Sequence, residues 1–138
     1  MAENAEPPQA QVPSEIAVEN KGRSMRLEYS DMSATLSAEF LRVESPSAEV
    51  KGHAGVGGEL PTGKRRVKIK SVKPVGHYAV AIIFDDSHDS GIYTWEYLRH
   101  LIRQEKRLWS DYEKKLRELG KGREPDVQIL QLMDAPKQ

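Results

Sequence analysis

The chain has 138 residues, 38% of them apolar and 30% charged, which suits one hydrophobic core and leaves no room for a second. Its 21 basic and 21 acidic side chains cancel to a net charge of zero, so global electrostatics points to no partner. With no cysteine, a disulfide framework, a thiolate nucleophile and any cysteine-ligated metal or cluster are excluded.

The opening residues have neither the basic start nor the apolar run of a signal peptide, and no later stretch reaches membrane-spanning length. The expectation is a cytoplasmic domain. Residues 1–20 carry only acidic charges, and Ala, Glu, Gln and Pro dominate up to Lys21 without a hydrophobic period. This composition predicts a disordered acidic tail over 1–24, because ordering it would bury too little apolar surface. From Met25 to Tyr29 the two-residue alternation of a half-buried strand begins, and Thr35–Ser37 is placed to pair back on it. Ser37 is a candidate cap for a short helix, with Glu39 in its first turn, Phe40 and Leu41 facing inward, and Pro46 stopping it.

Residues 52–63 hold Gly52, Gly55, Gly57, Gly58, Pro61 and Gly63, the composition of a loop. Arg66–Lys70 alternates as a strand, Pro74–Gly76 reads as a turn, and the wholly apolar Tyr78–Phe84 as a central strand. Asp85–Gly91 is a second turn and Ile92–Tyr93 a brief last strand. Thr94 is an N-cap, after which Trp95, Leu98, Leu101, Ile102, Leu108, Trp109, Tyr112, Leu116 and Leu119 recur at helical spacing up to Gly120. Arg103–Arg107 interrupts that stripe, which leaves one helix or two open. Residues 121–138 read mostly as a flexible tail, although Val127–Met133 is apolar enough to dock. The sum is an α+β domain over 25–120: a small, mainly antiparallel sheet with the C-terminal helix or helices packed on one face.

Chemistry-bearing motifs are few. Gly58–Arg65 falls one residue short of a phosphate-binding P-loop, because Arg65 stands where a magnesium-binding hydroxyl is needed, and a loop precedes it where a strand should. Asp85, Asp86, His88 and Asp89 bring oxygen and imidazole donors close together, and with His53 they form a candidate divalent-metal set for iron or zinc. The same residue types also build an ordinary hydrogen-bonded turn, which the residue pattern favours. No histidine has Asp or Glu two residues later, as an iron(II) oxygenase pair requires, and no nucleophile elbow or triad spacing appears. Arg66, Lys68 and Lys70 would share one strand face. With no aromatic residue among them this reads as a solvated edge or a protein-docking surface in preference to a nucleic-acid platform. Arg42, His53 and Trp95 complete the candidate partner-binding set.

Three segments carry a family resemblance: Phe40–His53, Pro74–Val80 and, most fully, Phe84-Asp85-Asp86-Ser87-His88-Asp89-Ser90-Gly91-Ile92-Tyr93-Thr94-Trp95-Glu96-Tyr97-Leu98. Over about residues 25–120 the chain resembles the gamma-butyrobetaine hydroxylase-like N-terminal domain family, in its stand-alone bacterial form, long known as a domain of unknown function. In the hydroxylase such a domain precedes an iron(II) and 2-oxoglutarate dependent catalytic domain and binds zinc through three cysteines and a histidine. By resemblance those positions fall near Ser45, Ser47 and Val50 and on His88, so the sulfur ligands are missing. Similar domains occur fused to P-loop iron–sulfur carriers, which implies a place near iron or cluster handling. The resemblance thus implies a fold without an oxygenase, and the expectation is a non-enzymatic adaptor that binds another protein, with iron or other divalent-metal binding as the alternative.

Overall fold

The structure, a computed structural model, describes residues 12–46, 60–86 and 91–125. Among the described residues, two three-stranded antiparallel sheets and three α-helices give an α+β fold. The first sheet is a meander of β1 (Glu15–Glu19), β2 (Ser24–Glu28) and β3 (Ser33–Ser37), with β2 in the middle. Met25 and Leu27 of β2 are fully buried, while Arg26 between them points outward, as period-two patterning requires.

Of the tail expected over 1–24, residues 1–11 lie outside the described residues, and strand β1 corrects the expectation for the rest. Ile16 pairs with Leu27 and Val18 with Met25, and Ile16 packs against the core. Glu15 and Glu19, read as part of a solvated acidic tail, join Glu28 around Arg26. Its guanidinium meets Glu19 at 2.8 Å and Glu28 at 2.5 Å, with Glu15 at 3.8 Å. An alternation of only two apolar residues is too weak a signal to reveal a strand without its cross-strand partners. The β1–β2 connection is a tight turn in which Asn20, Lys21 and Gly22 adopt φ of +54°, +57° and +90°. Gly22 is required there, since a Cβ would stand 2.8 Å from the Ile69 carbonyl oxygen.

Ser37 caps α1 (Ala38–Val43), its hydroxyl accepting from the Phe40 amide at 3.0 Å. The second sheet is ordered β4 (Ile69–Val75), β5 (Ala79–Phe84), β6 (Gly91–Thr94). The strand expected over 66–70 therefore begins later. Lys68 pairs its backbone with Asp85, its amide donating to Oδ1 at 3.0 Å and its carbonyl accepting the Asp85 amide at 2.9 Å. Pro74 lies inside β4, tolerated because β4 is an edge strand, and the turn shifts to residues 76–78.

Thr94 caps α2 (Trp95–Arg103) by accepting from the Tyr97 amide at 3.1 Å. The helix breaks at Gln104 and resumes as α3 (Glu105–Leu119), which Gly120 ends in the left-handed conformation at φ +67°. The interruption at Arg103–Arg107 is thus a real break between two helices. One core joins both sheets, α1 and α2 through Leu36, Phe40, Leu41, Ile82, Phe84, Tyr93, Leu98 and Leu101, all at most 2% exposed. Burying side chains of this size contributes about 1.5–3 kcal/mol each. Val43, Tyr112 and Leu116 form a smaller cluster under Trp109 and Leu60.

Residues 121–125, expected to be tail, are held. Gly63 and Arg65 donate their amides to the Gly122 and Arg123 carbonyls at 3.0 and 2.9 Å. Arg123 then makes a bidentate pair with Glu39, at 2.8 and 2.7 Å, while its guanidinium lies 5.2 Å from the Trp109 ring. Glu39 is only 7% exposed, so removing the arginine strands a buried carboxylate. Arg123→Ala should destabilise the domain by about 2 kcal/mol in urea unfolding, and replacing both partners by leucine should cost less than the single change.

Candidate functional site

Of the polar residues singled out by sequence, Arg42, Asp85 and Asp86 come together where β5 ends, beside α1. Asp85 is engaged with the Lys68 backbone as described above. Asp86 accepts from Arg42 Nε at 3.3 and 3.2 Å through its two oxygens and from Lys64 Nζ at 2.5 Å. Its side chain is 22% exposed. Burial alone would push the Asp86 carboxyl up, but the Lys64 hydrogen bond and the Arg42 and Lys64 charges outweigh it and hold its pKa below the usual carboxylate range. Arg42 and Asp86 are thereby brought together, and Lys64 joins them.

Of the candidate metal set, His53, His88 and Asp89 lie outside the described residues. Among the described residues no three of His, Cys, Asp and Glu are placed to hold a metal ion together. The P-loop likeness ends in other bonds: the Gly63 and Arg65 amides serve the 122–123 carbonyls, and Lys64 serves Asp86.

Next to this cluster, Tyr93 donates to the Leu41 carbonyl at 2.5 Å and Tyr97 to the Glu44 carbonyl at 2.6 Å. Burial pushes the Tyr93 phenol well above its usual range, and Ser45 hydrogen-bonds the same phenol. Ser45 is 5% exposed, and a Cβ on Gly91 would stand 2.7 Å from its Oγ and 2.8 Å from Tyr93 Cε1. The alcohol at Ser45 sits where the resemblance places a zinc-binding thiolate, yet it is bound to a phenol and offers no thiolate. The family's zinc does not fit this donor set. Ser47, Val50 and His88 lie outside the described residues.

The cations Arg66, Lys68 and Lys70 do not all lie on one strand, because β4 starts only at Ile69 and Arg66 sits in the turn before it. Arg66 and Lys70 are exposed and Lys68 is half-buried, with Arg66 Nη2 3.6 Å from Glu124. Trp95 packs against the core and donates Nε1 to the His77 carbonyl at 2.7 Å, so its indole braces the β4–β5 hairpin. Sequence reasoning did not find the groove beside Trp109. A cavity of about 400 Å³ is lined by Glu105, Lys106, Trp109, Ser110 and Glu113. It adjoins one of about 230 Å³ at Ser37, Glu39, Phe40 and Arg123. Among the described residues no helix is long and apolar enough to cross a membrane.

The Asp86 clamp carries a sign-definite pH dependence. Because its folded-state pKa is depressed, its contribution is complete above the unfolded carboxyl value and is lost as pH falls through the folded one. Asp86→Asn should flatten the acid limb of stability measured by thermal melts from neutral pH to below pH ~4. Gly91→Ala should destabilise the domain by about 1–3 kcal/mol by forcing Ser45 and Tyr93 apart, read out in the same melts.

The comparisons with known proteins agree with this geometry. The family described as gamma-butyrobetaine hydroxylase-like, N-terminal, matches residues 16–99. A protein solved by NMR in solution is 45% identical, with a TM-score of 0.72 over 88% of this chain and 97% of that one. A second NMR structure is 38% identical, with a TM-score of 0.69 over 91% and 96%. A crystal structure of a protein of unknown function in the DUF971 family, from Acidithiobacillus ferrooxidans, is 41% identical, with a TM-score of 0.56 over 70% and 97%. No curated protein matches. With the match spanning more than half its residues, the chain belongs to the gamma-butyrobetaine hydroxylase-like N-terminal family.

Proposed function

We propose that this chain is a non-catalytic module that binds another protein through its cationic surface. One observation carries the reading: the described carboxylates and phenols of the candidate site are engaged in internal bonds, while cations beside them stay open to solvent. Asp85 is tied to the Lys68 backbone, Asp86 to Arg42 and Lys64, Tyr93 to Leu41, and Tyr97 to Glu44. Lys70 and Lys73 remain exposed on the adjoining segment, as do Arg65 and Arg66 with Glu124 beside them. Groups bonded in this way are poor candidates for proton transfer or nucleophilic attack, whereas exposed cations steer and select an acidic partner.

The competing reading, a divalent cation held by Asp85, Asp86, His88, Asp89 and His53, would require Asp86 to give up its bonds to Arg42 and Lys64. Stoichiometric iron or zinc in the purified protein, lost in His88→Ala, would replace the proposal. The direct test is quantitative affinity capture from native lysate under mild conditions, using the full chain and an Arg66→Glu/Lys70→Glu variant. A protein retained by the first and lost by the second is expected. Identical captured sets, or none, would reject the binding module.

A further inference from the structure

We infer that the surface where the Asn20–Gly22 turn packs against Lys68–Lys70 binds an extended acidic segment of a partner protein. This rests on the protein-binding reading above and names the chemistry of the partner. The observation is a convergence that the linear sequence hides. Gly22 is seated so closely on the second sheet that a Cβ would stand 3.2 Å from Lys68 Cβ and 2.8 Å from the Ile69 carbonyl oxygen. The residues flanking Gly22, Lys21 and Arg23, are both exposed cations. The fold therefore sets Lys21 and Arg23 beside Lys68 and Lys70, with Lys73 farther along β4.

None of Lys21, Arg23, Lys68, Lys70 and Lys73 has an ion-pair partner among the described residues. Asp85, the carboxylate bonded to this segment, gives one oxygen to the Lys68 amide. Meanwhile Glu15, Glu19 and Glu28 gather around Arg26 on the first sheet, so a neutral molecule keeps an uncompensated basic patch. The turn itself is strained in a telling way. Asn20 and Lys21 are the two non-glycine residues with positive φ among the described residues. Asn20 is steadied by its Nδ2 bond to Ser24 Oγ at 2.8 Å. Lys21 has no such bond, and a glycine would hold φ +57° without strain.

The geometry favours a peptide over a nucleic acid. Lys68, just ahead of β4, and Lys70, within it, stand on either side of the buried Ile69, a two-residue spacing that suits carboxylates at alternate positions of an extended peptide. The exposed aromatic Tyr78 lies past the far end of β4, so nothing at the patch stacks bases. A net charge of zero gives no long-range pull on a polyanion. Pro74 and the register irregularity between Ile69 and Ser71 work against backbone strand addition along β4, which leaves side-chain charge as the means of recognition.

The test is fluorescence anisotropy with the full chain and a labelled peptide of alternating Glu and Ser. A Gly-Ser peptide and a single-stranded thymidine oligonucleotide of equal charge serve as controls. The acidic peptide is expected to bind, more weakly as salt rises, and to lose about tenfold in affinity with Lys21→Gly/Lys68→Gln. Lys21→Gly alone should keep or raise the melting temperature while weakening binding, a separation that a purely structural lysine would not produce. Unchanged affinity in the double variant, or tighter binding of the oligonucleotide than of the peptide, would overturn the inference. A captured partner whose retention survives Lys21→Gly/Lys68→Gln would also overturn it, while leaving the protein-binding reading standing.

Discussion

The two adjacent aspartates that end β5 hold distant parts of the chain in place, and the rest of the site follows from them. Asp85 closes a reciprocal pair of hydrogen bonds with the Lys68 backbone, which sets where β4 can begin. Asp86 draws in Arg42 from α1 and Lys64 from the segment before β4. The carbonyls near the C-terminal end of α1, which have no partner within a helix, are met by tyrosines: Leu41 by Tyr93 and Glu44 by Tyr97. Helix α1 is thus pinned to both β6 and α2. Residues that resembled metal ligands are, at Asp85 and Asp86, the fasteners of the fold.

A second constraint closes the opposite side. Glu39, buried in the first turn of α1, needs a cation, and Arg123 supplies it from beyond α3 while lying over Trp109. A buried carboxylate is tolerated only with such a partner, so residues 121–125 belong to the domain. The same contact shapes the groove at Trp109, which Phe40 and Tyr112 approach from ring-centroid distances of 6.2 and 5.2 Å.

Much of the architecture was legible residue by residue. Met25 and Leu27 declared β2, Ser37 and Thr94 declared the two helix caps, and the apolar run before Asp85 declared the central β5. These signals are local, carried by side-chain period and capping chemistry, and they survive folding unchanged. Three readings failed for one reason, which is that the deciding partner lies far away in sequence. Strand β1 needs Arg26 across the sheet, the start of β4 needs Asp85, and the end of the domain needs Glu39. Of the candidate site, Arg42, Asp85 and Asp86 were visible as polar residues. Their bonding was not, because a carboxylate in a turn and a carboxylate clamped by two cations look alike in one dimension.

By itself, the sequence determined composition-level facts: no sulfur chemistry, no net field, an α+β pattern, and segments that match one family. The tertiary structure alone decided which charges are neutralised and which stay open. Arg26, Arg42, Lys64 and Arg123 find carboxylates, whereas Lys21 and Arg23 are carried against Lys68 and Lys70 by the close seat of Gly22 on β4. Ionic pairing acts over a few ångströms through space, and separations of forty or eighty residues along the chain conceal it.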